Sequence, residues 1–174
     1  YHRLHLQGGG RCGIKLDFGR HLRLAYEHAQ ALGQPLPVAI SIGTDLALQF
    51  TAATMGAQMP PEADELAVAG GLRGSALEVA KAVSQHLLVP AESEFILEGV
   101  IQAGTEADEG PFGEFVGFAA PKAPAPVFEA TALTHRRKPI YHAINGYGRE
   151  TVMLRKYVLE ASLLKSLKPA VPIV

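Results

Sequence analysis

The sequence is poor in several features that would assign a chain to a functional class. It contains one cysteine, Cys12, which excludes an internal disulfide and is typical of a reducing cytoplasm. Its 16 basic and 17 acidic residues give a net charge of -1, so charge offers no reason to expect nucleic acid or an acidic membrane surface as a partner. No apolar run approaches the roughly 20 residues of a membrane-spanning helix, and no signal-peptide pattern is present. We therefore expect a cytoplasmic protein without a membrane span or a nucleic-acid partner.

The composition that remains is typical of a globular protein with a hydrophobic core. The 174 residues are 48% hydrophobic and 19% charged, which suits one domain, or one domain and part of another. The chain begins at Tyr1 in an alternating pattern and ends in the apolar residues 170–174. Because termini are usually polar and loose, we expect a piece of a longer polypeptide.

A turn with an acid at each end is the most informative stretch of the sequence. We call it the acid turn, Glu109-Gly-Pro-Phe-Gly-Glu114. Its proline and its two glycines exclude a helix and favour a shaped turn that holds two carboxylates at fixed positions. Such a pair can be driven to different pKa values and carry out acid–base chemistry. The alternative is a surface turn with solvated acids, and the turn alone leaves both interpretations open.

Strand patterns outnumber helix patterns along the chain. A hairpin is predicted over residues 1–18, and helices are predicted over 20–33, 45–55, 62–69 and 151–168, the third ending at Gly70-Gly71. Strands are predicted over 36–42, 77–83, 95–102, 115–119, 127–135 and 138–144. This pattern indicates an α+β fold, a β-barrel with added helices. His21 and Glu65 fall in early helical turns, where a surface histidine and an acid that offsets the helix dipole are the ordinary interpretations.

Several motifs in a fixed order resemble the UbiD-type decarboxylases, which use prenylated FMN. The resemblance extends from Arg3 to about Pro172. Its anchors are Leu36-Pro-Val-Ala-Ile-Ser-Ile-Gly43, Asp64-Glu-Leu-Ala-Val-Ala-Gly-Gly-Leu-Arg-Gly74, Leu88-Val-Pro-Ala-Glu-Ser-Glu94, Leu97-Glu-Gly99, the acid turn and Thr134-His-Arg-Arg-Lys-Pro-Ile-Tyr141.

The resemblance implies a fold and a division of the chain. Residues 1–150 would form a cofactor-binding split β-barrel, flavin-reductase-like and FMN-binding, with peripheral helices and without its N-terminal strands. Residues 151–174 would be a connecting helix and the start of a following domain.

The resemblance also implies site residues. The catalytic set corresponds to Arg3, Glu109 and Glu114. The cofactor-contacting set corresponds to Tyr1, His2, Arg3, Arg20, His21, Thr54, Met55 and Glu65, with Phe115 as a further match. His21 and Glu65 would bind a divalent metal, Mn²⁺ or Mg²⁺, beside the flavin phosphate, with K⁺ as a further candidate ion; the family's third ligand, an asparagine, would lie before Tyr1.

The expected chemistry follows from these residue types. Arg3 offers a planar fork for a carboxylate, Glu109 can orient that fork, and Glu114 can supply the proton that replaces the lost carbon dioxide. The predicted activity is a reversible, non-oxidative decarboxylation of an aromatic or α,β-unsaturated carboxylic acid by a carboxy-lyase. The implied partners are a flavin prenyltransferase that supplies the cofactor and further copies in a homo-oligomer. After Asn145-Gly146 the sequence departs from the family pattern, so the substrate class stays open.

Two other functional classes remain as alternatives. The chain can be a flavin- and metal-binding module without turnover, or a domain whose role is assembly. The presence of Arg3, Glu109 and Glu114 favours the enzyme, because a pure binder needs none of the three. We expect the 174-residue piece alone to be inactive.

Overall fold

The computed structural model describes residues 1–54, 59, 62–114, 117–146 and 148–169. Its strands are β1 (Leu4–Gly8), β2 (Arg11–Ile14), β3 (Leu36–Ile42), β4 (Val79–Lys81), β5 (Leu88–Pro90), β6 (Phe95–Glu109), β7 (Phe112–Gly113), β8 (Ala119–Ala120) and β9 (Ala123–His135). Its helices are α1 (His21–Ala31), α2 (Leu46–Ala53), α3 (Glu65–Arg73) and α4 (Arg149–Leu167).

One antiparallel sheet organises these elements. Its strand order is β1-β2-β9-β6-β3, and β4-β5 and β7-β8 form two small separate sheets. The mixture of helices and antiparallel sheets agrees with the predicted α+β class. No pairing among the described strands joins β1 to β3, so this sheet is open and the split barrel stays a prediction.

The core lies on one face of this sheet. It is built from apolar side chains of four strands, of the segment after β2 and of α1: Cys12, Ile14, Leu16, Tyr26, Val38, Ile101 and Phe128. Phe128 and Ile101 are fully buried on the paired strands β9 and β6. Burying side chains of this size stabilises a fold by about 1.5–3 kcal/mol each. The sheet is therefore a firm support for whatever its strand ends carry.

Strand β6 also carries a buried carboxylate. Glu98 is 1% exposed and accepts hydrogen bonds from the backbone N–H groups of Val83 (2.8 Å) and Ser84 (2.5 Å) and from the Ser84 hydroxyl (2.8 Å). Burial alone would raise the pKa of Glu98, but these hydrogen bonds stabilise the anion and hold its pKa below the ordinary value. Glu98 thus ties the segment after β4 to the main sheet.

An aspartate caps the start of α2 and of α3, and α3 ends later than predicted, at a glycine. Asp45 accepts from Ala47 N at 2.7 Å at the start of α2, and Asp64 caps α3 in the same way. The predicted end of α3 at Gly70-Gly71 is wrong. A glycine ends a helix where it takes a left-handed conformation, and here Gly74 does so, with φ of 78°. Gly70 instead allows close packing, because a Cβ there would lie 3.3 Å from the Ser75 carbonyl oxygen.

The stretch after β9 is not the strand that its sequence predicts. Residues 138–144 form no strand; Pro139 has no N–H to contribute to a ladder, and the Glu94 carboxylate takes the N–H of Ile140 at 2.9 Å. The predicted strand over 115–119 begins in residues outside the described part of the chain, and β8 occupies only Ala119–Ala120. By contrast, β6 continues seven residues beyond its predicted end at Gln102, as far as Glu109.

The last helix, α4, lies against α2 and leaves much of its surface exposed. Val158 and Ala161 of α4 and Phe50 of α2 line an open cavity of about 600 Å³. Among the described residues, no helix is both long and apolar enough to cross a membrane.

Candidate active site

The acid turn directly follows the longest strand of the sheet. β6 ends at Glu109, and the next residue, Gly110, has a φ of +92°, which residues with a side chain rarely adopt. The Gly110–Pro111 peptide is cis. Strand β7 lies between this peptide and Glu114 in the chain, and it pairs with β8. The turn therefore holds Glu109 buried, at 2% exposure, and Glu114 at the surface of the site.

Arg3, immediately before β1, joins the two acids of the turn. Its Nε and Nη2 donate to the two carboxylate oxygens of Glu109 at 2.7 and 2.8 Å, and its Nη1 donates to Glu114 at 2.6 Å. Hydrogen bonding to Glu109, and then to Glu114, raises the pKa of Arg3 against the opposing effect of its partial burial. The three residues predicted to be catalytic thus form one ion-paired cluster.

An aromatic ring in the middle of the turn supports this cluster. The Arg3 guanidinium carbon lies 4.4 Å from the centroid of the Phe112 ring, within the range of a cation–π interaction. The His5 ring meets Phe112 edge-on, with centroids 5.6 Å apart and planes at 80°. Arg3 is therefore fixed from one side by carboxylates and from another by an aromatic face.

Two further residues of β1 contact the same segment, and the sequence prediction missed both. His5 Nδ1 accepts from Gly110 N at 3.2 Å, and Gln7 Nε2 donates to the Asp108 carbonyl oxygen at 3.1 Å. The available signal was the period of two: residues 3, 5 and 7 of a strand lie on one face. Alternation alone does not show which partner that face meets.

A glycine on the neighbouring strand leaves room for this arrangement. Gly13 of β2 is the register partner of His5. A Cβ at Gly13 would lie 3.4 Å from Glu109 Cβ and 3.3 Å from Gln7 Nε2. The acid turn can approach β1 and β2 this closely because position 13 has no side chain.

A second cluster contains the predicted metal residues. His21 Nδ1 and Glu65 Oε1, at the first positions of α1 and α3, lie 2.5 Å apart. The structure therefore brings together the two residues that the resemblance pairs. Within the described part of the chain, no group of three or more His, Cys, Asp or Glu side chains is arranged to hold a metal.

The other predicted cofactor residues lie near the ends of α1 and α2. Arg20 Nη1 donates to the carbonyl oxygen of Thr54, the residue that ends α2. His2 Nδ1 donates to the Lys15 carbonyl oxygen at 3.1 Å, and burial lowers the pKa of His2. The predicted contacts of Met55 and Phe115 lie outside the described residues.

Tyr1 joins the start of the chain to α2 through a buried amide. Its hydroxyl donates to Gln49 Oε1 at 2.9 Å, and Gln49 Nε2 donates to the Thr44 carbonyl oxygen at 2.9 Å and to His142 Nδ1 at 3.3 Å. Gln49 is a third residue that sequence reasoning missed; a glutamine inside a helix pattern gave no signal. Its amide links the first residue, α2 and the irregular stretch after β9.

Comparison with known proteins gives the chain its family. Residues 1–148 match UbiD, described as the 3-octaprenyl-4-hydroxybenzoate carboxy-lyase Rift-related domain. The fold is similar to that of the UbiD-class enzyme HmfF from Pelotomaculum thermopropionicum in complex with FMN, with a TM-score of 0.92 and 38% identity over 98% of this chain. An evolved dimeric form of HmfF in complex with prFMN gives the same TM-score and identity over 98% of this chain and 39% of its own.

A structure described as a decarboxylase has a similar fold. Apo 3,4-dihydroxybenzoic acid decarboxylase (AroY) from Klebsiella pneumoniae gives a TM-score of 0.87 and 31% identity, over 98% of this chain and 37% of its own. The chain likewise spans 38% of the HmfF–FMN chain, so it corresponds to a part of each relative. The family match over most of the sequence confirms the resemblance: this chain belongs to the UbiD family of carboxy-lyases.

Proposed function

We propose that this chain is the cofactor-binding and catalytic part of a reversible, non-oxidative decarboxylase that acts on an aromatic or α,β-unsaturated carboxylic acid. The cluster of Arg3, Glu109 and Glu114 carries the proposal. A buried ion pair that extends to a second, partly exposed acid has no evident use in a flavin-binding or assembly module. Family membership and the FMN and prFMN named for HmfF support the same conclusion.

Arg3 binds and orients the substrate carboxylate. A guanidinium has five N–H donors, and Glu109 takes two of them and Glu114 one. One N–H on Nη1 and one on Nη2 carry no bond to either glutamate, and two N–H groups are what a carboxylate needs for a paired contact. Glu109 is buried and accepts two hydrogen bonds from Arg3, so it sets the plane in which Arg3 presents these two N–H groups.

Glu114 delivers the proton. Loss of carbon dioxide leaves an electron pair on the substrate carbon, and a proton from the Glu114 carboxyl completes the C–H bond that replaces the C–C bond. Of the two acids, Glu114 is the one that can move, because it has a single bond to Arg3 and 38% side-chain exposure.

The cofactor is proposed to be prenylated FMN with a divalent cation. When bound, the modified flavin supplies the electron sink for the developing negative charge. His21 and Glu65 fit a cation site by ligand type, because an imidazole nitrogen and a carboxylate oxygen that lie side by side, here joined by a hydrogen bond, suit Mn²⁺ or Mg²⁺, with K⁺ as a further candidate ion. They supply two ligands, and the resemblance places the third before Tyr1. Tyr1, His2, Arg20, Thr54 and Met55 complete the proposed cofactor-binding set.

The remaining parts of the proposal concern partners and extent. A flavin prenyltransferase supplies the cofactor, the full-length protein is a cytoplasmic homo-oligomer, and residues 1–150 and 151–174 belong to successive domains. The 174-residue chain alone is expected to be inactive, since its cation site has two protein ligands and the relatives it matches are longer.

The test uses the full-length protein produced together with a flavin prenyltransferase. The rate of carbon dioxide release from a panel of aromatic and unsaturated acids should fall by about 10²- to 10⁴-fold in Glu114→Gln, while the flavin absorbance of the purified protein stays unchanged. Asp108→Asn is the matched control, since Asp108 is a neighbouring exposed acid paired with Lys122 at 2.7 Å. Flavin binding without turnover in the wild type would favour the binding module, and near wild-type turnover in Glu114→Gln would remove this residue as proton donor.

A further inference from the structure

One face of β1 holds the acid turn at three successive points. Arg3 binds its two acids, His5 accepts from the backbone N–H of Gly110 at 3.2 Å, and Gln7 donates to the carbonyl oxygen of Asp108 at 3.1 Å. Of these three residues, only Arg3 has a role in the proposed reaction. His5 is the central one and contacts the turn in two ways.

The first contact fixes the chemical state of His5. The Gly110 N–H is a donor, so Nδ1 must accept and carries no proton. The imidazole that fits this geometry is neutral, with its proton on Nε2. An imidazolium has donors at both nitrogens and would place an N–H against the N–H of Gly110.

The second contact connects His5 to the arginine. The His5 ring meets the edge of Phe112 at 5.6 Å, and Phe112 lies 4.4 Å from the Arg3 guanidinium carbon. A shift of the His5 ring would therefore move both the start of the turn and the aromatic face beside Arg3. Misplacement of a reacting group by about 1 Å lowers a rate by about 10²-fold, so this support bears on catalysis.

We infer that His5 is a positioning residue that holds the acid turn in its reactive arrangement as a neutral imidazole. The inference rests on the proposed function for its effect on turnover, but not for its effect on the turn. Its register partner on β2, Gly13, brings no charge. The charged groups of β2, of the acid turn and of the residue before β1 are Arg11, Glu109, Glu114 and Arg3; Arg11 pairs with Glu129, and Asp108, just before the turn, pairs with Lys122.

Two substitutions separate the acceptor from the ring. His5→Asn keeps an acceptor near the position of Nδ1 but cannot be protonated. His5→Phe keeps an aromatic edge for Phe112 but has no acceptor. His28→Asn is the matched control, because His28 is an exposed histidine on α1, outside the proposed site.

The first measurement follows the turn itself in the full-length protein and needs no turnover. Hydrogen exchange of the Gly110 amide should be at least about tenfold faster in His5→Phe than in the wild type. In His5→Asn and His28→Asn it should stay near the wild-type rate. Wild-type exchange in His5→Phe would show that Nδ1 does not hold the turn and would overturn the inference.

The second measurement is kcat at pH 8 with a substrate found in the carbon dioxide assay. His5→Phe should lose about tenfold or more in kcat with flavin content unchanged, whereas His5→Asn, which keeps an acceptor, should stay within about threefold of the wild type. Equal losses of kcat in the two variants would show that the acceptor at Nδ1 does not position the turn and would overturn the inference. If His5→Phe does not fold, a loss of about tenfold or more in His5→Asn would overturn it.

The two measurements also separate this inference from the proposed function. If no acid is decarboxylated by the wild type while Gly110 exchange responds as expected, the reaction assignment fails and the His5 contact stands. If exchange responds but kcat in His5→Phe does not, His5 supports the turn without positioning it for catalysis, and the inference is overturned.

Discussion

Replacing either acid of the turn by its amide should abolish turnover, but only one replacement should weaken the fold. Glu109 is 2% exposed and makes two charge-assisted hydrogen bonds to Arg3, at 2.7 and 2.8 Å. Glu114 has 38% side-chain exposure and makes one, at 2.6 Å. In Glu109→Gln the amide N–H groups would face Arg3 N–H groups, so at least one of these two bonds would be lost.

The expected losses of stability follow from the burial of each acid and from the number of hydrogen bonds it makes to Arg3. Breaking a buried ion pair costs about 3–5 kcal/mol. Arg3 remains paired with Glu114, and its side chain is 23% exposed. We therefore expect Glu109→Gln to lower the free energy of unfolding by about 2–4 kcal/mol, and Glu114→Gln by at most about 1 kcal/mol.

The assay is urea unfolding of both variants and of Asp108→Asn, monitored by far-ultraviolet circular dichroism. The 174 residues contain no tryptophan whose fluorescence could report the transition. The Glu109→Gln midpoint should fall clearly below those of the other two proteins. Equal midpoints for Glu109→Gln and Glu114→Gln would show that burial does not distinguish the two acids and would refute the reasoning.

Three further predictions follow from single contacts. Glu98→Gln should lower the free energy of unfolding by about 1–3 kcal/mol at pH 7. Because the pKa of Glu98 is depressed in the folded protein, the stability difference between wild type and variant should shrink as the pH falls below about 4.3. Urea unfolding at several pH values tests the size of this difference and its pH dependence. Gly13→Ala should lower kcat by about tenfold through crowding of the acid turn, whereas Gly71→Ala, whose added Cβ meets nothing within 4 Å, should leave kcat unchanged and raise stability by about 1 kcal/mol. His21→Ala and Glu65→Ala should each weaken flavin retention on dialysis against a chelator, and retention equal to that of the wild type would argue against a shared cation.

The sequence was informative at two places where local chemistry decides the structure. The glycine and proline of the acid turn predicted a shaped turn, and Asp45 predicted the start of α2, because backbone dihedrals and helix caps depend on near neighbours. The resemblance brought together Arg3 and the two acids more than 100 residues away, which periodicity alone cannot do.

The remaining features depend on contacts between distant segments. Residues 138–144 have an apolar pattern, but Pro139 and the Glu94 carboxylate prevent a strand there. His5 shares a strand face with Arg3 because side chains alternate along a strand, yet its role follows only from the position of Gly110 across the site. The pairing of His21 with Glu65 joins two helix starts 44 residues apart, so periodicity could not predict it and only the resemblance did.

The sequence separation within the Arg3 cluster has a consequence for folding. The bonds from Arg3 to Glu109 and Glu114 close segments of 106 and 111 residues. Contacts of such long range form late, after the entropy of the intervening chain has been reduced by other pairings. Here those pairings are β1 with β2, β2 with β9 and β9 with β6, which together bring Arg3 to the end of β6. A partly folded molecule in which any of these pairings is missing therefore has no assembled acid cluster, and the cluster exists only in chains whose central sheet is complete.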